Sequence, residues 1–234
     1  MIDARKLLDQ FLGSQVPGMQ GSVRDKATEA INLARDNPMA TSAIAGLLLG
    51  TKTGRGIAGN ALTLGGLAAI AGLGYQAYKN YQAGSTPQPA PQSAGAEPQL
   101  LPPPSDSGFS TAPAVASNEF ALSLIRAMIA AARADGHIDD AERQHILGKV
   151  QQSGVGAEAE AFFEKELANP VDLDAIVASA STEEQRVQLY AASRLAIEPD
   201  SRAERGYLDL LAGRLGLADA LVDHIEATVA SAKV

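Results

Sequence analysis

The C-terminal half of the chain carries apolar residues at the three- and four-residue intervals of α-helices. The first apolar stripe consists of Phe120, Leu124, Ile125, Met128, Ile129 and Ala132. Gly136 ends this stripe, and the spacing beyond it predicts six further helices, over 140–152, 157–168, 173–180, 182–197, 202–215 and 218–232. We therefore expect an all-α fold in which residues 118–234 form a seven-helix domain with its own core.

A different apolar pattern occupies residues 57–78. These 22 residues carry no charge, and their strongly polar side chains are Asn60 and Gln76. A helix of this length spans about 33 Å, which matches a hydrocarbon core of about 30 Å. The Gly-rich segment 44–81 is therefore predicted to contain a transmembrane helix that contacts lipid through 57–78. A buried Ala/Gly helix or a hairpin of a soluble domain is the alternative.

Small residues recur at four-residue intervals in and before this segment. The recurring positions are Gly46, Gly50, Gly54, Ala61, Gly65 and Ala69. Such a ridge lets helix backbones approach closely in lipid. It predicts a homo-oligomer associated through Gly46, Gly50, Gly54 and Gly65. The alternative is that a segment rich in Gly and Ala produces this spacing by chance.

Two further regions are predicted from their composition. Residues 1–43 carry scattered charges and no long apolar run, which argues against a secretory signal and predicts short amphipathic helices. Residues 82–117 are rich in Pro, Ser, Ala and Gln and include three consecutive prolines. A segment of this composition is expected to be a disordered linker. It serves as a spacer or, alternatively, as a PxxP ligand for a partner.

Charge is distributed unevenly along the 234 residues. The net charge of −8 argues against a nucleic-acid binder, which needs a basic face. Residues 1–81 hold eight Lys or Arg against five Asp or Glu, whereas 117–234 hold 11 against 20. A mildly basic N-terminal part suits anionic lipid, and an acidic C-terminal part suits water. The chain has no Cys, which excludes disulfides and thiolate chemistry.

Four carboxylates and a histidine are concentrated in residues 135–142, between the first two helices of the predicted domain. Asp135, Asp139 and Glu142 supply hard oxygen ligands around a turn that contains Gly136, so they predict a site for Ca²⁺, Mg²⁺ or Mn²⁺. Their spacing is not that of an EF-hand. The alternative is structural, because Asp139 and Glu142 also have the spacing of a helix capping box.

A weak internal repeat with an offset of 62 residues points to a second turn. The matching positions are Ala130 with Ala192, Glu142 with Glu204, Ile146 with Leu208 and Gly154 with Gly216. A second capping box is predicted from Ser201 to Glu204. If the two helix–turn–helix halves face each other, Asp200 and Glu204 join the candidate metal ligands. The alternative is that any two amphipathic hairpins share this skeleton.

Motifs of catalysis and nucleotide binding are missing from the sequence. His137, His145 and His224 lie in no nucleophile elbow and no HExxH motif, and there is no Walker loop. We therefore expect a protein that is not an enzyme. His224 is expected to be a half-exposed residue of the last helix.

The run Ala-Asp-Gly-His-Ile-Asp-Asp-Ala-Glu-Arg at 134–143 resembles the DG-x-I-x-x-x-E signature of tellurite-resistance TerB-like domains. That resemblance implies a seven-helix fold with pseudo-two-fold halves. It also implies divalent-metal binding at Asp135, Asp139 and Glu142, with Glu204 as the counterpart in the second half. Ile197 stands where the repeat would place an Asp, so the second half departs from the pattern.

The order of a Gly-rich segment, a Pro-rich linker and this domain is similar to that of YebE-type bacterial inner-membrane proteins. The runs 49–56 and 207–217 fit that family as well. The resemblance implies a single-pass protein of the bacterial inner membrane, with the side of its C-terminal domain open. We expect a membrane-tethered, non-catalytic module that binds a divalent cation or a protein partner. The alternative is an assembly protein that oligomerises through its Gly-rich segment and has no metal site.

Overall fold

The computed structural model describes residues 3–12, 66–87, 102–112, 114–134, 136, 140–152 and 156–232. Throughout these residues the regular structure is helical and includes no strand, which confirms the predicted all-α class. The helices are α1 (Ala4–Leu12), α2 (Gly66–Gln82), α3 (Asn118–Ala132), α4 (Asp140–Gln152), α5 (Ala157–Ala168), α6 (Leu173–Ala178), α7 (Glu183–Ala196), α8 (Arg202–Leu215) and α9 (Asp219–Ala232).

Helices α3 to α9 lie within two residues of the bounds predicted from the sequence, and side-chain caps begin four of them. The side chains of Ser117, Asp172, Thr182 and Ser201 each accept a hydrogen bond from a backbone N–H in the first turn of the helix that follows. At the other end of α8, Gly216 adopts the left-handed conformation with φ 65° and closes the last turn.

Helix α2 lies at the centre of the bundle. Its first nine residues are all buried except Ala68, which is half-buried. Helices α1, α7 and α9 pack around it. A helix that is apolar on every side has no face for water, so it is stable only where other apolar surface encloses it. In α2 the enclosing surface comes from the same chain.

This position bears on the predicted transmembrane segment 57–78. Residues 66–78 belong to the buried helix α2, which corresponds to the alternative of a buried Ala/Gly helix. Residues 57–65 lie outside the described residues, as do Gly46, Gly50, Gly54 and Gly65 of the predicted oligomer ridge. Among the helices that the structure describes, none is both long enough and apolar enough to cross a membrane. The membrane span stays a prediction.

Residues 102–112 and 114–117 pack against the bundle without forming a helix. The ring of Phe109 is 2% exposed and lies against Tyr75 and Tyr78 of α2, with ring centroids 6.0 and 5.5 Å away. A Cβ added at Gly74 would come within 3.1 Å of the Phe109 ring, so the glycine makes room for it. In residues 102–112 and 114–117 this arrangement differs from the expectation of a disordered linker over 82–117, and residues 88–101 and 113 lie outside the described residues.

Helix α1 is fixed to the end of this segment. The guanidinium of Arg5 donates hydrogen bonds to the backbone carbonyls of Thr111 and Ala116. The backbone N–H of Ala4 donates to Oδ1 of Asn118 at 2.8 Å. Because α1 and α2 both contribute apolar residues to the core, the C-terminal helices share one core with the N-terminal part. We expected residues 118–234 to form a core of their own, and in this respect the prediction differs from the structure.

Candidate functional site

The first acidic turn joins α3 to α4. Gly136 in this turn has φ 120°, a conformation that strongly favours glycine over residues with a Cβ. Asp135 and Asp139 lie outside the described residues. Glu142 lies in the first turn of α4, but its side chain is outside the part of the chain that the structure describes. The predicted site at these three residues therefore stays a prediction.

The second acidic turn joins α7 to α8 and contains the predicted capping box. The hydroxyl of Ser201 accepts a hydrogen bond from the backbone N–H of Glu204 at 3.1 Å. Carboxylate oxygen Oε2 of Glu204 accepts one in return from the backbone N–H of Ser201 at 2.9 Å. The box from Ser201 to Glu204 is confirmed. One of the two candidate carboxylates in this half is therefore engaged in capping the N-terminus of α8.

A cation of the protein itself closes the same turn. Nη1 of Arg205 donates to the backbone carbonyls of Pro199 and Asp200, at 2.9 and 2.8 Å. Asp200 is exposed. A guanidinium beside these oxygens opposes a metal cation through charge repulsion and takes carbonyl oxygens that a hard cation would use. In the described residues there is also no group of three or more His, Asp or Glu placed to hold a metal ion.

Positions related by the 62-residue repeat are similarly buried in the two halves. Ile146 and Leu208 are both core residues, and so are Ala130 and Ala192. Helices α3 and α7, which carry the alanines, make the most extensive helix pair of the bundle. The surroundings of the next helices differ, since α4 packs mainly on α5, whereas α8 packs on α7, α3 and α6.

A buried ion pair that sequence reasoning missed joins α7 to α9. Arg194 Nε donates to Glu226 Oε2 at 2.5 Å, and Arg194 Nη1 donates to the backbone carbonyl of Ile197 at 2.8 Å. The hydroxyl of Tyr190 donates to Glu226 Oε1 at 2.8 Å. Burial, followed by the charge of Glu226, raises the pKa of Tyr190. The sequence indicates this pairing only through the spacing of Tyr190 and Arg194, which lie one helical turn apart and so on the same face of α7.

The structure also corrects the prediction for His224. The prediction of a half-exposed side chain is wrong, because His224 is 5% exposed and contacts the ring of Tyr81 edge-on at 6.2 Å. The pattern of α9 contained the necessary signal. Its inward positions are Leu221, His224, Ile225, Thr228, Val229 and Ala232, which follow the three- and four-residue intervals of one helix face. A face assigned from apolar residues alone would leave His224 and Thr228 out.

In the part of the chain that the structure describes, the fold is all-helical and contains capped helix–turn–helix pairs. Its sequence matches the model of the family described as "Protein of unknown function (DUF533)" over residues 35–229. The chain belongs to this family, which agrees with the YebE-type part of the resemblance.

The chain is also similar to a protein of a bacterium. The chain is 28% identical, over 110 residues, to "Uncharacterized protein in ampR 5'region" of Yersinia enterocolitica. The aligned region covers 47% of this chain and 79% of that protein. No solved structure matches the chain.

Proposed function

We propose that this protein is a non-catalytic helical binding module whose first acidic turn binds a divalent cation. The difference between the two turns supports this proposal best. In the second turn the carboxylate of Glu204 completes a capping box and Arg205 occupies the neighbouring carbonyls. The first turn has the same spacing of Asp139 and Glu142 but adds Asp135 and Asp140. These added carboxylates exceed what a capping box uses.

The chemistry of the first turn favours a hard cation. Asp135, Asp139 and Glu142 offer only oxygen ligands, which suits Ca²⁺, Mg²⁺ or Mn²⁺ better than a softer metal. Several carboxylates in one short turn repel one another when no cation is bound. The resemblance of residues 134–143 to the TerB-like signature supports the same site. Asp200 and Glu204 act in this proposal as the structural counterpart and not as ligands.

The proposal includes attachment to a membrane through the apolar segment that precedes the bundle. The family resemblance and the uncharged run 57–78 support it. Residues 66–74 of α2 are enclosed by protein, with Ala68 half-buried, so they would contact lipid only if α2 left the bundle. Flotation of the full-length protein on liposomes tests the attachment. Recovery with the lipid supports it, and recovery of a folded protein in the lipid-free fraction contradicts it.

The metal site is tested by thermal unfolding of the full chain with and without millimolar CaCl₂, MgCl₂ or MnCl₂. A cation at a hundred times its Kd adds about 2.7 kcal/mol to the free energy of unfolding. For a chain of this size that corresponds to a rise in Tm of about 5–10 °C. Glu142→Gln removes one carboxylate oxygen and one charge, so the metal-dependent rise should disappear.

The internal repeat provides a matched control. Glu204→Gln makes the same chemical change at the equivalent position, where Gln can still accept the hydrogen bond from the N–H of Ser201. It should keep the metal-dependent rise in Tm. If wild type shows no rise with any of the three cations, the metal site is refuted. An oligomer that then persists in light scattering would favour the alternative of an assembly protein.

A further inference from the structure

A polar groove lies where the C-terminal end of α2 meets the middle of α9. It is lined by Asn80, Ser85, Thr86, His224, Ala227 and Thr228. Its volume is ≈ 450 Å³, which is in the range of small-molecule sites in proteins. Five of the six lining residues are polar, in contrast to the apolar lining that is usual for a pocket of this size.

The imidazole of His224 is the unusual group in this lining. It is 5% exposed, and it contacts the ring of Tyr81 edge-on, with the ring centroids 6.2 Å apart. The hydroxyl of Thr228 donates to the backbone carbonyl of His224 at 2.7 Å and not to the imidazole ring. Among the described residues the imidazole has no hydrogen-bond partner. Since buried polar groups are almost always satisfied, this ring calls for a partner in the groove.

The charges around the groove indicate what that partner is. None of its lining residues in the described part of the chain is a Lys, Arg, Asp or Glu. Of the two carboxylates that flank His224 on α9, Asp223 is exposed, and Glu226 is bonded to Arg194 and Tyr190. A metal ion would require more ligands of the His or carboxylate type, and an anion would approach the negative end of the α2 dipole. Both classes of charged ligand are therefore disfavoured.

We propose that this groove binds a small neutral polyhydroxyl compound, a sugar unit or a polyol. Hydroxyl groups both donate and accept hydrogen bonds, as do the hydroxyls of Ser85, Thr86 and Thr228 and the amide of Asn80. A neutral imidazole likewise presents one donor and one acceptor nitrogen. The compound supplies the buried ring of His224 with its missing partner. This inference is independent of the cation proposed for the first acidic turn.

The experiment is NMR of the full chain with ¹⁵N-labelled histidine, in which His224→Gln identifies the His224 ring signals. The probes are glucose, N-acetylglucosamine and myo-inositol, with sodium phosphate and MgCl₂ as charged comparisons. We expect at least one neutral probe to shift the His224 signals saturably with a Kd on the order of 1 mM. The ring signals of His137 and His145 should stay in place.

Variants at the exposed rim separate binding from folding. Ser85→Ala combined with Thr86→Val removes two lining hydroxyls from exposed positions, and we expect it to weaken binding at least tenfold. Ser105→Ala removes an exposed hydroxyl away from the groove and should leave the Kd unchanged. An oligosaccharide that binds at least tenfold tighter than its monosaccharide would identify a glycan chain as the source. Equal affinities would identify a free sugar.

Three results would overturn the proposal. One is the absence of any shift of the His224 signals by the neutral probes up to about 100 mM, a hundredfold above the expected Kd. Such silence would mean that water alone partners the imidazole. The second is a saturable shift with phosphate or Mg²⁺ but with none of the neutral probes. The third is an unchanged Kd in the double variant Ser85→Ala and Thr86→Val.

Discussion

Removal of the Glu226 carboxylate should destabilise the bundle far more than removal of an equally well-paired carboxylate at the surface. Glu226 accepts hydrogen bonds from both Arg194 and Tyr190, and so connects α9 to two positions on α7. The Arg194 side chain is 7% exposed. In Glu226→Ala the guanidinium would stay buried and keep its bond to the carbonyl of Ile197, but it would lose the carboxylate of Glu226.

The magnitude follows from that burial. Breaking a fully buried pair by removing one partner costs about 3–5 kcal/mol, because an uncompensated charge remains. The side chain of Glu226 is itself 31% exposed, so water reaches the site and reduces the penalty. We therefore expect a loss of about 2–3 kcal/mol in the free energy of unfolding. For a chain of this length this lowers Tm by about 5–10 °C.

The assay is equilibrium unfolding in urea, followed by circular dichroism at 222 nm (a standard helix signal), with Asp174→Ala as the control. Asp174 pairs with Arg214, but the two side chains are 77% and 46% exposed. Exposed pairs contribute about 0–1 kcal/mol, so Asp174→Ala should change stability little. Equal losses in the two variants, or a loss below about 0.5 kcal/mol in Glu226→Ala, would refute the argument from burial.

Two further predictions test the core. Phe109→Ala should lower the free energy of unfolding by about 3 kcal/mol, because it leaves a cavity where a buried ring was. As the control, Leu210→Ala changes a side chain that is 53% exposed, and it should change the free energy of unfolding by no more than about 0.5 kcal/mol in the same urea assay. Burial raises the pKa of Tyr207 to about 12 from the ordinary 10, so its contribution to stability is complete below about pH 10 and is lost as the pH rises towards 12. The free energy of unfolding should fall by about 1.4 kcal/mol per pH unit in that window, and Tyr207→Phe should remove this part of the alkaline loss while leaving that of Tyr190.

The C-terminal helices could be predicted from the sequence because each has local signals of its own. Ser201 and Glu204 show this most clearly, since a hydroxyl and a carboxylate three residues apart define a helix start without help from the rest of the fold. Gly216 does the same for a helix end. Such signals depend on chemistry within one turn of helix, and they are visible in a single sequence.

The packing of residues 102–117 could not be predicted in the same way. The composition of this segment is dominated by residues that bury little surface, so its average indicates disorder. Its attachment depends on single residues whose partners are distant in sequence. Phe109 inserts against Gly74, and the carbonyl of Ala116 meets the guanidinium of Arg5. Nothing in a local window identifies either partner.

In the candidate site, too, the local capping contact could be predicted from the sequence and the contact of a side chain with more distant residues could not. The capping role of Glu204 was predicted from spacing and is confirmed. The closure of the same turn by Arg205 was not foreseen, since it depends on a side chain that folds back onto carbonyls five and six residues earlier. Asp135, Asp139 and Glu142 remain predicted ligands. The roles of the polar side chains are therefore observed in the second acidic turn, whereas in the first acidic turn they are predictions.

The segment 57–78 illustrates why an apolar run alone does not identify its surroundings. A lipid core and a protein core both exclude water, and both accept an uncharged helix that satisfies its own backbone hydrogen bonds. They differ in the neighbours that they supply. Around α2 these neighbours are specific, with Phe109 packed on Gly74 and the hydroxyl of Tyr78 donating to Glu183 at 2.9 Å. If α2 moved into lipid, it would lose these contacts, which its small residues make possible. The stability of Phe109→Ala and the liposome flotation therefore both test whether α2 is a helix of the protein core or a helix of the membrane.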